Sequence, residues 1–327
     1  GEVRNLIRDK VSRFVDEIYT DTMGNLIAHK KGNQAGPKVM VAAHMDEIGA
    51  MVTGITEEGL LKFRPFGVAP RVLPAKIVLV GKDKVKGVIG APPIHLQKKD
   101  QDRPFELDDL YIDIGADKEE EAKKLVKIGD PVVFATKCEE IGDGKIKGKS
   151  FDDRAGCAVL IELLKLKWPL DLYGVFTVQE EVGARGAATA AYRIKPDLAL
   201  VLEGTSASDV PDIKEHGYST TLEQGPALTL MDRSVIPHQG LVRALEATAK
   251  GKDIPYQYRR ATVGGTDAGK IHLTKEGIPS AVISIPCRYI HSPVSILARE
   301  DLVNTERLLK EFLSSLGEGG IKIEGIN

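Results

Sequence analysis

The segment K-V-M-V-A-A-H, from Lys38 to His44, constrains the fold more than any other part of the chain, because it is an almost unbroken apolar run that ends on an imidazole. Such a run reads as a strand buried on both faces, the situation found where helices cover a parallel sheet. The design recurs: Leu172 to Val178 leads into Glu180-Glu181, Leu198 to Leu202 into Glu203, and Ser280 to Ile285 into P-C-R-Y-I-H, ending on His291. Helical periodicity fills the intervals over Arg154 to Leu166, Ala184 to Tyr192, Ile236 to Ala249 and Asp301 to Leu316. A further strand is expected near Tyr256 to Ala261 and a helix capped by Thr266-Asp267. Alternation of this kind predicts an α/β fold with a mostly parallel sheet, whose crevice opens at the carboxyl ends of the strands.

The first third of the chain has a different texture. Val3, Leu6, Ile7, Val11, Phe14, Val15 and Ile18 recur at helical spacing and predict one amphipathic helix, followed by a strand over Leu26 to Lys30. From about Ile48 to Glu140 the chain turns to short strand-like runs, Met51 to Ile55, Leu60 to Arg64 and Ile77 to Val80, separated by Gly, Pro and charged turns. One short helix is expected around Lys118 to Val126, and the stretch from Pro92-Pro93 to Pro104 reads as a mobile polar loop. The expected organisation is a discontinuous α/β domain of residues 1–49 and 140–327, interrupted by a β-rich, barrel-like insert of residues 50–139.

Composition narrows the partners. Among 327 residues, 45 Lys and Arg stand against 47 Asp and Glu, so no basic excess favours nucleic acid or an anionic membrane. No apolar run approaches the ~18 residues that span a bilayer, and Gly1 to Lys10 lacks the apolar core of a signal peptide. Cys138, Cys157 and Cys287 lie far apart with no C-x-x-C pair, which suggests neither a disulfide framework nor a thiolate metal cage. A soluble cytoplasmic protein is the expectation.

Charged side chains rarely end buried apolar runs unless paired or metal-bound, since an unpaired buried charge costs several kcal/mol. Here His44, Glu180-Glu181, Glu203 and His291 do so, and Asp152-Asp153 adds a fifth cluster before a helix. Imidazole and carboxylate together suit Zn²⁺, Co²⁺ or Mn²⁺, and there are enough acids for two ions sharing a bridging carboxylate. Each cluster also has an ordinary reading: a structural histidine for His44 or His291, a solvated helix start for Glu180-Glu181, an N-cap for Asp152-Asp153, an ion pair for Glu203. In H-M-D, Asp46 can accept the second imidazole N–H of His44 and fix its tautomer. On an extended backbone the two glutamates would point to opposite sides, so that one can bind metal while its neighbour faces a bound water. His29, His95, His216, His238 and His272 read as surface or structural residues, and Gly264-Gly265-Thr266-Asp267, lacking Walker or dinucleotide spacing, reads as a pocket-forming turn.

Five segments in this order, A-A-H-M-D-E-I-G, S-F-D-D-R-A-G, V-Q-E-E-V-G-A-R-G, G-G-T-D-A-G and R-Y-I-H-S, resemble the TET-type deblocking aminopeptidases, relatives of the glutamyl and leucyl aminopeptidases among cocatalytic zinc exopeptidases. The resemblance spans nearly the whole chain. It implies a peptide-cleaving enzyme with two zinc or cobalt ions per subunit, Asp152 as their bridge, Glu181 and His291 completing one site, His44 and Glu203 the other, and Glu180 as general base. It also implies that the insert mediates dimerisation and that dimers build a hollow tetrahedral dodecamer. Two departures stand out: glutamate at position 203 where aspartate is expected, and a shorter opening than the family's, which predicts a truncated or differently built N-terminus. A metal-dependent deacylase of small N-acyl compounds is the alternative, since the same ligands serve any amide.

Overall fold

The computed structural model describes residues 1–93 and 105–326. The chain opens with α1 (Glu2–Val11), β1 (Glu17–Thr20), β2 (Leu26–Lys30) and β3 (Lys38–His44). Next come β4 (Gly49–Ile55), β5 (Leu61–Phe66), β6 (Ile77–Val80), β7 (Val85–Gly90), β8 (Tyr111–Asp113), α2 (Glu119–Leu125) and β9 (Pro131–Phe134). The remainder is β10 (Glu139–Ile141), β11 (Lys145–Gly148), α3 (Phe151–Lys165), β12 (Asp171–Thr177), α4 (Arg185–Ile194), β13 (Leu198–Ser206), β14 (Ala227–Thr229), α5 (Gln239–Gly251), β15 (Gln257–Arg259), α6 (Ala268–Ile271), β16 (Ser280–Arg288), β17 (Ser295–Ala298) and α7 (Arg299–Gly317).

The main sheet runs β1-β2-β12-β3-β13-β16-β17-β11-β10, with β14 and β15 branching from β16. Its four central strands, β12, β3, β13 and β16, are parallel. Period-two alternation sorts their side chains: Val39, Val41 and Ala43 pack with α1, α3, α5 and α7, whereas Met40 and Ala42 pack with α4 and α6 on the other face. Both faces are therefore covered, which is why the sequence shows continuous rather than alternating apolar runs. Strands β4 to β9 close into a separate six-stranded barrel around Val52, Leu61, Phe63, Val78 and Ile112. The fold is α/β, with a mixed sheet whose centre is parallel and an additional barrel.

Chain order places a crevice beside β3, because β12 follows on one side and β13 on the other. The β3–β13 ladder stops at Ala42↔Val201, two residues short of His44 and Glu203, so the strands part where the polar side chains begin. Several expectations need correction. The first α-helix ends at Val11, with one 3₁₀ turn continuing to Phe14; Ile18 lies in β1, paired with Ala28, so strand pairing with β2 overrides its helical spacing. Glu203 is inside β13, which continues to Ser206 because its partner β16 extends to Arg288. Asp267 precedes α6 but makes no side-chain cap, its carboxylate being turned to Thr177. The loop expected up to Pro104, including His95, falls largely on residues 94–104, outside the described residues.

Candidate functional site

His44, Asp152, Glu181, Glu203 and His291 converge at the carboxyl ends of the parallel strands. His44 is buried, with Nε2 3.1 Å from Asp152 Oδ1 and 3.6 Å from Glu203 Oε2. The other oxygen of the same aspartate, Oδ2, lies 3.7 Å from His291 Nε2, and His291 in turn borders Glu181. Two sets of three ligand atoms result, His44-Asp152-Glu203 and Asp152-Glu181-His291, each set within 4.8 Å, and Asp152 belongs to both. The extra methylene of Glu203 does not take its carboxylate away from this group.

Local structure explains how each group is held. Asp152 and Asp153 stand at the start of α3 on non-helical backbone, with a cis peptide between them, and Asp153 takes the N-cap role that the sequence allowed for the pair. Asp153 is fully buried; its Oδ2 accepts the His44 amide at 3.2 Å and its Oδ1 the Gly156 amide at 3.0 Å, tying the end of β3 to α3. Gly204 donates its amide to Asp152 Oδ1 at 3.2 Å, and a Cβ there would come within 2.8 Å of the Asp152 Cβ. Glycine at 204 is what lets Asp152 approach β13.

Glu180 and Glu181 follow β12 in a turn rather than on extended backbone, Gln179 having a left-handed φ of 61°. Both of their amides donate to Asp46, to Oδ1 and Oδ2 respectively, each at 3.1 Å. Asp46 also lies 3.6 Å from His44 Nδ1, beyond hydrogen-bond distance, so in this arrangement it anchors the glutamate turn as well as flanking the imidazole. His291 has a left-handed φ of 56°, and its Nδ1 donates to the Gly67 carbonyl at 2.6 Å, which leaves Nε2 facing Asp152. Gly67 lies just past β5, so a loop of the barrel orients a ligand-type histidine of the sheet.

Burial and the mutual repulsion of the carboxylates dominate the electrostatics of the site. Burial pushes the Glu180 carboxyl up to about 8, His44 opposing and Asp267, Asp152 and Glu181 adding to the rise. Burial and the Asp152 charge likewise push Glu181 up to about 8. Glu203 and Asp153 are raised well above the usual carboxylate range, again by burial first. Burial lowers the His44 imidazolium pKa, but Asp152, Asp46 and Glu203 outweigh it and hold it well above the ordinary value. In addition, Glu181 Oε1 is buried without a hydrogen-bond partner. Crowded, desolvated carboxylates with a spare acceptor fit a divalent cation, which would relieve both the repulsion and the orphaned oxygen.

The site opens on a cavity of about 920 Å³ whose lining includes Asp152, Glu180, Glu181, Glu203 and His291. The sequence reading named Asp153 and Asp267, in the Asp152-Asp153 cluster and the Gly264-Gly265-Thr266-Asp267 turn, without the partners they take here, and it missed Gly67 and Gly204. Only Gly204, directly after Glu203 in L-E-G-T, left a local signal; the Gly67 carbonyl acts through backbone and leaves none. Three other histidines have partners of their own: His29 is buried in β2 and stacked on Tyr173, His238 accepts the Leu241 amide at the start of α5, and His272 pairs with the Ala268 carbonyl.

An α/β sheet whose strand ends gather imidazoles and carboxylates around a shared aspartate defines the class of metal-dependent hydrolases. The particular group follows from comparison: residues 24–308 match the model of the M42 glutamyl aminopeptidases, and the chain belongs to that family. It is 35% identical over 329 residues to the lysyl aminopeptidase of Pyrococcus furiosus, covering 96% of this chain and 91% of that one. The structure of aminopeptidase APDkam598 from Desulfurococcus kamchatkensis superposes with a TM-score of 0.94 at 39% identity, over 99% of this chain and 92% of that one. The TET1 peptidase of Pyrococcus horikoshii, described as assembling into a tetrahedron or a large octahedral shell, gives a TM-score of 0.84 at 33% identity, over 95% and 92% of the two chains. The protein is thus an aminopeptidase of a metallopeptidase family.

Proposed function

We propose that this chain is a binuclear aminopeptidase that removes N-terminal residues from peptides, with Glu180 as its general base. The observation that carries the reading is the position of Asp152, one oxygen toward His44 and Glu203 and the other toward His291 and Glu181. His44, Asp152 and Glu203 would hold one ion and Asp152, Glu181 and His291 the other, with zinc and cobalt both suited to this donor set. Such ions would lower the pKa of an attacking water and polarise the scissile carbonyl.

The chain's own groups do the rest. Glu180 lines the cavity beside both ligand sets without belonging to either, so its carboxylate is available to take the water's proton and return it to the departing amine. Asp46 positions that carboxylate through the backbone of the turn. The surplus of acid around His44 attracts the cationic α-amino group of a substrate and disfavours a blocked one. We also propose that the barrel pairs subunits, supported by exposed Met51, Ile77 and Val88 on its strands, and that the pairs assemble further, as described for the Pyrococcus horikoshii relative.

Hydrolysis of a peptide with a free amino terminus and of its N-acetylated twin tests the reading, before and after zinc or cobalt is restored to chelated protein. Metal-dependent release of the first residue from the free peptide alone is expected. Preferential attack on the acetylated peptide would instead indicate a deacylase.

A further inference from the structure

The loop that carries Glu180 and Glu181, residues 179–185 leading from β12 into α4, has one branched apolar side chain, Val182, and that side chain is exposed. Its backbone is left-handed at Gln179, Gly183 and Ala184, with φ of 61°, 120° and 52°. A segment of this shape keeps its place through polar anchors more than through apolar burial. Asp46 supplies one anchor, at the glutamate amides. A second lies at the neck of the loop, where Val178 and Gly186 meet, and it comes from Asn25.

Asn25 directly precedes β2 and is fully buried. Its Oδ1 accepts the Val178 amide at 3.0 Å and its Nδ2 donates to the Gly186 carbonyl at 2.9 Å, so one planar side chain grips the residue before the loop and the residue after it. The Gly186 amide closes the same neck on the Val178 carbonyl at 3.0 Å. A backbone amide can only donate and a carbonyl only accept, so a carboxamide in this one orientation serves both. Asp21 sets that orientation: its Oδ2 accepts from Asn25 Nδ2 at 2.7 Å, while its Oδ1 accepts the Gly24 and Asn25 amides at 2.9 and 3.0 Å. The neck is also close-packed, since a Cβ at position 186 would lie 2.3 Å from Asn25 Oδ1 and 2.5 Å from the Val178 carbonyl oxygen.

The partners of the Asn25 side chain, Asp21, Val178, Gly186 and Thr189, belong to neither set of ligand atoms. Glu181 belongs to the Asp152-Glu181-His291 set alone. A shift of the neck would therefore reach that set and the base Glu180, and spare the His44-Asp152-Glu203 set.

Resting on the binuclear aminopeptidase reading, we propose that Asn25 is a positioning residue for the reaction: its carboxamide, aimed by Asp21, fixes the neck of the 179–185 loop and so sets the places of the ligand Glu181 and the base Glu180. The isosteric change Asn25→Asp keeps the acceptor for Val178 but turns an oxygen against the Gly186 carbonyl and Asp21.

The test is a Co²⁺ titration of chelated protein, followed by calorimetry, with the two binding steps assigned from His44→Ala and His291→Ala. The parent should take up two ions per chain. In Asn25→Asp the step missing from His291→Ala should weaken about 10–100-fold, while the step missing from His44→Ala stays within about twofold. With both sites filled, kcat on a peptide with a free amino terminus should still fall at least about tenfold, because Glu180 is displaced as well. Asp21→Asn, at a half-buried position outside the neck, should show the same selective pattern at smaller size, and it decides the matter if Asn25→Asp does not fold. Equal weakening of both steps, as a general loss of stability would give, or no change in either, would overturn the positioning role and leave the binuclear reading intact. A parent that binds fewer than two ions would overturn that reading and the proposal with it.

Discussion

Replacing Asp46 by asparagine tests how the glutamate turn is held. Each Asp46 oxygen accepts one amide, from Glu180 and Glu181, both at 3.1 Å. Asparagine keeps one acceptor and places an NH₂ group against the second amide, so one hydrogen bond to a charged group is lost and two donors are brought face to face. A bond of that kind contributes about 1.5–3 kcal/mol, and the unsatisfied amide adds to the loss. The negative charge 3.6 Å from His44 Nδ1 also disappears, weakening the orientation of that imidazole. Because the residue acts on both the ligand Glu181 and the base Glu180, metal affinity and kcat/KM should each fall about 10–100-fold. Competition with a chelator of known affinity measures the first, and initial rates on a saturable peptide substrate the second. Values within about twofold of the parent in both would refute the positioning role.

Other variants and conditions probe neighbouring parts. Gly204→Ala puts a Cβ 2.8 Å from the Asp152 Cβ and 2.9 Å from its Cα, so it should cost about 1–3 kcal/mol by thermal or denaturant unfolding and weaken metal retention. In metal-stripped protein, Glu180 and Glu181 have folded pKa values raised to about 8 from 4.5. Their protonated forms favour the fold below the unfolded value, and that stability is lost as pH rises from about 4.5 through 8, so the melting temperature of stripped protein should fall across this window while that of loaded protein stays nearly level. A melting temperature that rises with pH in stripped protein would contradict the crowding argument.

The sheet was legible because a strand buried on both faces must be apolar throughout; Lys38–His44 and Leu198 to Leu202 announce themselves without any partner being known. The same burial made the terminal polar residues conspicuous, and so five ligand-type positions could be named from the chain alone. What the sequence withheld depends on partners distant in the chain. Ile18 has helical spacing but is claimed by β2, and Glu203 seemed to end a strand only because the length of β16 could not be read. Asp267 looked like a cap until Thr177, 90 residues away, supplied a better donor. The Gly67 carbonyl that orients His291 and the two amides gripped by Asp46 are backbone groups, identical in every residue type, and no side-chain pattern could have flagged them.

The most direct test of the account is Glu180→Gln, assayed for turnover and for ions bound per chain by elemental analysis. Glu180 lies outside both ligand sets, so the variant should keep two ions while turnover falls about 10²–10⁴-fold, the usual contribution of a general base. Full activity, or the loss of an ion together with activity, would contradict it.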